Sequence, residues 1–344
     1  MLINFNSGEL LSQPIFFGDS LGIQRYDIQK YPIFEKLNDK QLSYFWQPHE
    51  INLSKDRADF TILSEKEKNI FISNLKYQSL LDTVQSRGPG LLRKYTSLPE
   101  VESFIITWEF FENIHSKSYT YIIRNLFPNP SEVFDSITKD KNIIKRAIKT
   151  IESYEKIDES KEITEEDILR TLINVNILEG IRFYVSFLCS FYFTEYKKVM
   201  EGNTKIITLV QRDEFLHLQF TQSLIKILVK DYDNFRKIFE KMKDEIVELY
   251  KEAVQQEKEW ATYLFEDYDQ KLMLDIFGYI EYICDNRLSN LGLPKVYGTK
   301  NTMLWADKYM NGKWLQVAPQ ETEITSYVIS GINKNKKISK KYEI

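Results

Sequence analysis

At 344 residues, 43% hydrophobic and 28% charged, the chain carries enough apolar material for a large core, in one large domain or two smaller ones. A formal net charge of −4, with no basic stripe interleaved with aromatics, argues against a nucleic-acid partner. Cys189 and Cys284 match no C-x-x-C pattern, Met1 to Leu11 lacks the blocks of a signal peptide, and no apolar run approaches about 18 residues, so the expectation is a cytoplasmic protein with no membrane span.

Residues 1–35 scatter Gly8, Pro14, Gly18, Gly22 and Pro32 without helical period and read as an extended N-terminal arm. Trp46 closes a short apolar-polar segment before Pro48 and, taken alone, reads as core filling. From Ser64 the chain turns helical. Ser64 and Glu67 form a capping box, Ile70, Phe71, Leu75, Leu80 and Leu81 follow at helical spacing, and Gly88-Pro89-Gly90 ends the run. Asp82 lies among Leu80, Leu81 and Val84. It is either a surface group at the edge of the stripe or a paired or metal-bound carboxylate.

Ser97 and Glu100 suggest a second capping box, with Pro99 in the first turn, opening a helix to about Leu126 that spans roughly 40 Å. Residues 128–163 are more polar and predict a turn and one or two solvated helices. Thr164 and Asp167 start a segment running from Ile168 to about Val199 that is apolar nearly all round, as expected at the centre of a bundle. Glu179 sits inside it beside Gly180. A buried Glu needs a partner, which favours a ligand. Asn203 is positioned to cap a helix from about Thr204 to Leu228 that carries Asp213, Glu214 and His217. Residues 232–265 and 270–291 give two further amphipathic helices. The pattern loosens after Pro294, and residues 319–344 read as a lysine-rich flexible tail. The bundle itself is expected over residues 36–318, with no convincing strand.

The chain has three histidines, and two of them stand in Glu-x-x-His: Glu112 with His115, and Glu214 with His217. Chance would arrange this only about a few per cent of the time at this Glu content. On a helix both side chains of such a pair leave one face. Together with Asp82 and Glu179 they supply the donor set of a dinuclear carboxylate site in a bundle core, with Asp replacing one Glu. Carboxylate oxygens with one imidazole per ion suit Fe or Mn better than Zn, and four carboxylates balance two divalent ions. Two adjacent reducing ions can activate O2 and oxidise a neighbouring group. Tyr119, one turn from His115, is positioned to be that group. A phenoxyl radical survives only in a dry cage, for which Phe183, Phe187 and Val210 are candidate walls.

Five runs occur together and in order: Trp46-Gln47-Pro48, LLDTVQ from Leu80, IHSKSYT from Ile114, EGIRFYVSF from Glu179, and Arg212-Asp213-Glu214. Over about residues 10–331 the chain resembles the radical-generating small (β) subunit of class I ribonucleotide reductase. The resemblance implies an all-α, ferritin-like long-helix bundle with a carboxylate-bridged dinuclear iron or manganese site in its core. One ion would be held by Asp82, Glu112 and His115, and the other by Glu179, Glu214 and His217. Tyr119 would carry the radical. Trp46, Asp213 and His115 would form an electron-transfer chain. Tyr327, with Glu321 nearby, would pass the radical to the large subunit, which binds and reduces the ribonucleotide for deoxyribonucleotide synthesis. A homodimer, docking through the C-terminal tail, and activation by O2 and an electron donor are also implied. Residues 333–341 are lysine-rich where the family is usually acidic, so docking must differ or be weaker. Two other classes could use the same bundle: a ferritin-like iron-binding or oxidase protein, and a two-metal monooxygenase or desaturase. The first needs neither Trp46 nor Tyr119, and the second needs a channel where Phe183 and Phe187 would seal.

Overall fold

Helical periodicity sets the architecture of the computed structural model, which describes residues 3–5, 8–159 and 162–310. Along the described chain run α1 (Pro32–Leu42), α2 (Ser54–Ile62), α3 (Glu65–Gln85), α4 (Pro99–Leu126), α5 (Pro130–Ile137), α6 (Lys141–Glu159), α7 (Glu165–Ile177), α8 (Phe183–Lys197), α9 (Glu201–Asp231), α10 (Asp233–Phe265), α11 (Gln270–Asn290) and α12 (Asp307–Met310). Among the described residues the one β pairing is an isolated bridge between Phe16 and Thr96. At the centre, α3 packs on α4 and α8, while α9 packs on α7, α8 and α4. The outer helix α1 lies on α4, α6 on α7 and α3, and α10 on α11.

Local chemistry explains most of the helix ends. Ser64 caps α3 and Thr164 caps α7, each in a reciprocal box with the residue three positions on. The expected box at Ser97 and Glu100 does not form. Pro99 instead occupies the first position of α4, where its missing N–H costs nothing. Ser97 Oγ accepts from Gly18 N, and Glu100 Oε1 accepts from Lys30 N and Tyr31 N, so both side chains tie the N-terminal residues to the bundle. Asn203 does not cap α9 either, because that helix begins at Glu201. Lys198 and Met200 take left-handed φ values of 58° and 61°, reversing the chain sharply out of α8. The freed N–H groups then go to α2: Asp59 accepts from Met200, and Asp56 from Gly202 and Asn203. These caps come from 140 and more residues away in the chain, so no local signal announces them.

Three other expectations change. Helix α1 starts at Pro32, inside the supposed arm, and both α1 and α2 precede Ser64, where the first helix was expected. The residues 128–163 do hold two helices, but α6 is not solvated all round. Ile143, Ala147, Thr150, Tyr154 and Ile157 form a buried stripe at three- and four-residue spacing. The long apolar segment is also not one α-helix, since a π turn, Leu178–Arg182, separates α7 from α8. The whole stretch Glu165–Lys197, although not an uninterrupted apolar run, is by length and composition apolar enough to cross a membrane, with a mean hydropathy of 1.3 over its most apolar window. That window is wholly buried inside the bundle, as a central core helix should be.

Candidate metal centre

Four elements deliver the six expected ligands to one place. Helix α3 brings Asp82, α4 brings Glu112 and His115, the π turn brings Glu179, and α9 brings Glu214 and His217. Their donor atoms fall into two overlapping groups. Asp82, Glu112, His115 and Glu214 make one, and Glu112, Glu179, Glu214 and His217 make the other, with the donors of each group within 4.8 Å of one another. Glu112 and Glu214 belong to both groups, so a pair of ions held here would share them. All six residues are at most 1% exposed.

The donor set fits a pair of divalent cations on its own hydrogen-bond accounting. Both oxygens of Asp82, one oxygen each of Glu112, Glu179 and Glu214, and Nδ1 of His115 are buried without a hydrogen-bond partner. Bare acids crowded in this way resist ionising together. Burial, then the neighbouring Glu112 charge, pushes Asp82 well above the usual carboxylate range, and burial with the Glu214 charge does the same to Glu179. Burial, then Glu112, raises Glu214 to about 8. Burial would raise Glu112 too, but its contacts with His115 and His217 outweigh that and hold it at about 2. A cation between the carboxylates removes the conflict.

Each imidazole is oriented from behind. His115 Nδ1 faces Glu214 Oε1 at 3.1 Å, and its Nε2 lies 3.2 Å from Asp213 Oδ2. His217 Nδ1 faces Glu112 and Glu214 at 3.0 and 2.8 Å, and its Nε2 meets the Gln41 amide at 2.5 Å. At His115 an Nε2–H held by the Asp213 carboxylate leaves the Nδ1 lone pair for a metal. The Trp46 indole donates to the same Asp213 Oδ2 at 2.8 Å, and its ring stacks 6.3 Å from that of His115. Trp46, Asp213 and His115 thus form one hydrogen-bonded line, all fully buried. The Arg212 guanidinium completes it, donating to Asp213 Oδ1 at 3.2 Å and to the Tyr44 carbonyl at 2.7 Å.

Tyr119 is fully buried, and its hydroxyl lies beside the Asp82 carboxylate without meeting any partner at full hydrogen-bond geometry. Burial, then the Asp82 carboxylate, pushes the phenol well above its ordinary range. Phe183, Phe187 and Val210 are fully buried, and the two phenylalanine rings stack at 5.5 Å. Tyr327 and Glu321 lie outside the described residues.

Sequence reasoning missed several supporting groups. Trp108 donates to Glu112 Oε1 at 2.8 Å, Gln85 donates to Glu179 Oε1, and Tyr154 donates to Gln85 at 3.1 Å. Trp108 stands four residues before Glu112 and Gln85 three after Asp82, so helical spacing could have flagged both. Gln41 arrives from α1, far away in sequence, and nothing local points to it.

Comparison with known proteins agrees with this geometry. A family model described as "Ribonucleotide reductase, small chain" matches residues 25–302. The ribonucleoside-diphosphate reductase subunit beta of Buchnera aphidicola subsp. Schizaphis graminum is 47% identical, covering 94% of this chain and 93% of its own. Ribonucleoside-diphosphate reductase 1 subunit beta of Escherichia coli O157:H7 is 44% identical, with 94% and 93% covered. Among solved structures, the ribonucleotide reductase R2 subunit from Clostridium botulinum superposes with a TM-score of 0.83 at 27% identity, covering 90% of this chain and 98% of that one.

Proposed function

The chain belongs to the ribonucleotide reductase small-chain family, and from that premise we propose that its six clustered ligands hold two iron or manganese ions and that Tyr119 stores a radical. The reading is carried by the two overlapping ligand groups that share Glu112 and Glu214, beside a sealed phenol one helical turn from His115. When bound, the ion pair supplies, with O2 and an electron donor, the oxidation that this radical requires.

The protein's own residues do the rest. Burial beside Asp82 keeps the Tyr119 phenol protonated until it is oxidised, and Phe183, Phe187 and Val210 wall the site from water. The line Trp46–Asp213–His115 conducts electrons between the centre and the exterior, with Arg212 balancing the buried Asp213 charge. As a small subunit the chain works with a large subunit that carries out nucleotide reduction. We assign Tyr327 and Glu321, in the tail 319–344, to radical transfer across that contact, and the lysine-rich end to docking. Homodimer formation is supported by an exposed apolar patch on α1, the turn after it and α4. Leu42 is 50% exposed, Phe45 39%, Ile106 40% and Phe110 49%, and the Phe45 and Phe110 rings stack. Two buried free thiols suit a cytoplasmic location. Iron storage would require neither the Trp46–Asp213 line nor a sealed tyrosine.

The test is to add Fe(II) and O2 to metal-free protein and follow the tyrosyl EPR signal. The signal should appear in the wild type and vanish in Tyr119→Phe with metal content unchanged. A signal that survives in Tyr119→Phe removes the assignment.

A further inference from the structure

Glu179 is the one ligand carried by a non-α turn. A π turn is rare and often marks a functional site, and its wider ladder gives way to an ordinary α-helix unless contacts from outside hold it. Two such contacts grip the residues that follow Glu179. From α11, Arg287 Nε donates to the Gly180 carbonyl at 3.3 Å. Its Nη2 donates to the Tyr184 hydroxyl at 2.6 Å, and its guanidinium lies 5.1 Å from the Tyr184 ring centroid. Glycine at 180 permits this approach, because a Cβ there would stand 3.0 Å from Leu218 Cδ1 and 3.3 Å from Arg287 Nε. From α10, fully buried Glu257 pairs with Arg182, the last residue of the turn, at 3.6 Å. Glu257 is itself fixed by Arg146 at 3.8 Å and by the Tyr77 hydroxyl at 2.6 Å.

We propose that Arg287 and Glu257 are positioning residues that lock the π turn and so set the affinity for the ion held by Glu112, Glu179, Glu214 and His217. This rests on the two-ion reading above. Neither residue is among the ligands. Both act through Glu179, which belongs to that group alone. The ion of the other group draws on Asp82 and His115 from α3 and α4, which Arg287 does not bond. A change at Arg287 therefore loosens one ion and spares the other. Outer contacts of this kind typically govern metal affinity by roughly 10–100-fold.

The experiment titrates metal-free protein with Mn2+ and reads free Mn2+ by EPR, giving two stepwise affinities without any turnover. The wild type should take two ions. Arg287→Met, which keeps the aliphatic stem, and Glu257→Gln, which removes the charge, should each hold one ion at near wild-type affinity and weaken the other by about 10–100-fold. Tyr184→Phe, which releases the anchor of Arg287, should weaken the same ion a few-fold, and Arg287→Lys should recover part of the loss. If Arg287→Met fails to fold, Tyr184→Phe decides by the same criterion. Unchanged affinities, or equal weakening of both ions, overturn the proposal. A wild type that binds fewer than two ions overturns the two-ion reading itself.

Discussion

Tyr119 and Tyr77 are both fully buried phenols, and they differ in what their hydroxyls meet. Tyr77 donates to Glu257 at 2.6 Å, whereas the Tyr119 hydroxyl has only the nearby Asp82 carboxylate and meets no partner at full hydrogen-bond geometry. Burying a hydroxyl without a partner costs about 1–3 kcal/mol, and a hydrogen bond to a charged group contributes roughly 1.5–3 kcal/mol. Removing the Tyr119 hydroxyl deletes an unmatched cost, so metal-free Tyr119→Phe should be as stable as the wild type or more stable by up to about 1–3 kcal/mol. Tyr77→Phe should lose about 1.5–3 kcal/mol. The comparison belongs at pH 8, where Glu257 is ionised. Burial raises its carboxyl to about 7 against the pull of Arg146 and Arg182. At roughly 1.4 °C per kcal/mol for a chain of this size, the two melting temperatures should move apart by several degrees, with Tyr77→Phe the lower. Calorimetry on metal-free protein reads the difference. If Tyr119→Phe is destabilised as much as Tyr77→Phe, the Tyr119 hydroxyl has a partner in solution, and the argument from a sealed, unbonded phenol fails.

Trp46→Phe should bind metal normally and leave nucleotide reduction with the large subunit at background, because the indole donor to Asp213 is gone. Normal turnover in that variant takes Trp46 out of the electron path. Tyr327→Phe should retain the radical and lose turnover, and a fully active variant would free Tyr327 of its assigned role. In Glu67, burial would raise the carboxyl, but Ser64, Lys197 and Tyr268 hold it down to about 2. A folded value below the unfolded one means that this stabilisation is present above about pH 4.5 and is lost as pH falls towards 2. Glu67→Gln should therefore be less stable at pH 7 and lose less stability across that acid window. Parallel acid limbs in wild type and variant would refute this.

The helices that carry ligands were legible because their signals are local. Glu112 and His115, or Glu214 and His217, reveal themselves by three-residue spacing, and Ser64 or Thr164 by a carboxylate three residues on. Where the sequence misled, the cause lay at long range. Asn203 looked like a cap, but Asp56 and Asp59 take the N–H groups that start α9. Ser97 and Glu100 looked like a box, but they bond the N-terminal residues. The π turn has no spacing signature, since the segment around Glu179 is apolar on every side. It depends on Arg287 and Glu257, more than 70 residues downstream. The α6 stripe was plain in the sequence and was hidden only by the charged residues between its apolar positions.

Buried acids separate into two kinds by what answers their charge. Asp56, Asp59, Glu100 and Asp285 accept backbone N–H groups. Glu67 pairs with Lys197, Asp213 with Arg212, and Glu257 with Arg146 and Arg182. Each of these has its charge answered within the fold by backbone N–H groups or by a lysine or arginine. Asp82, Glu112, Glu179 and Glu214 have no lysine or arginine partner among the described residues; they face one another and two imidazoles turned Nδ1-first towards them. Evenly distributed donors would have made the four acids another structural network. Instead only a few neutral donors reach them: Trp108 bonds one oxygen of Glu112 and Gln85 one of Glu179, while Asp213 takes the Nε2 side of His115. The carboxylate oxygens and imidazole nitrogen left without a partner are the atoms that the proposed pair of cations would satisfy.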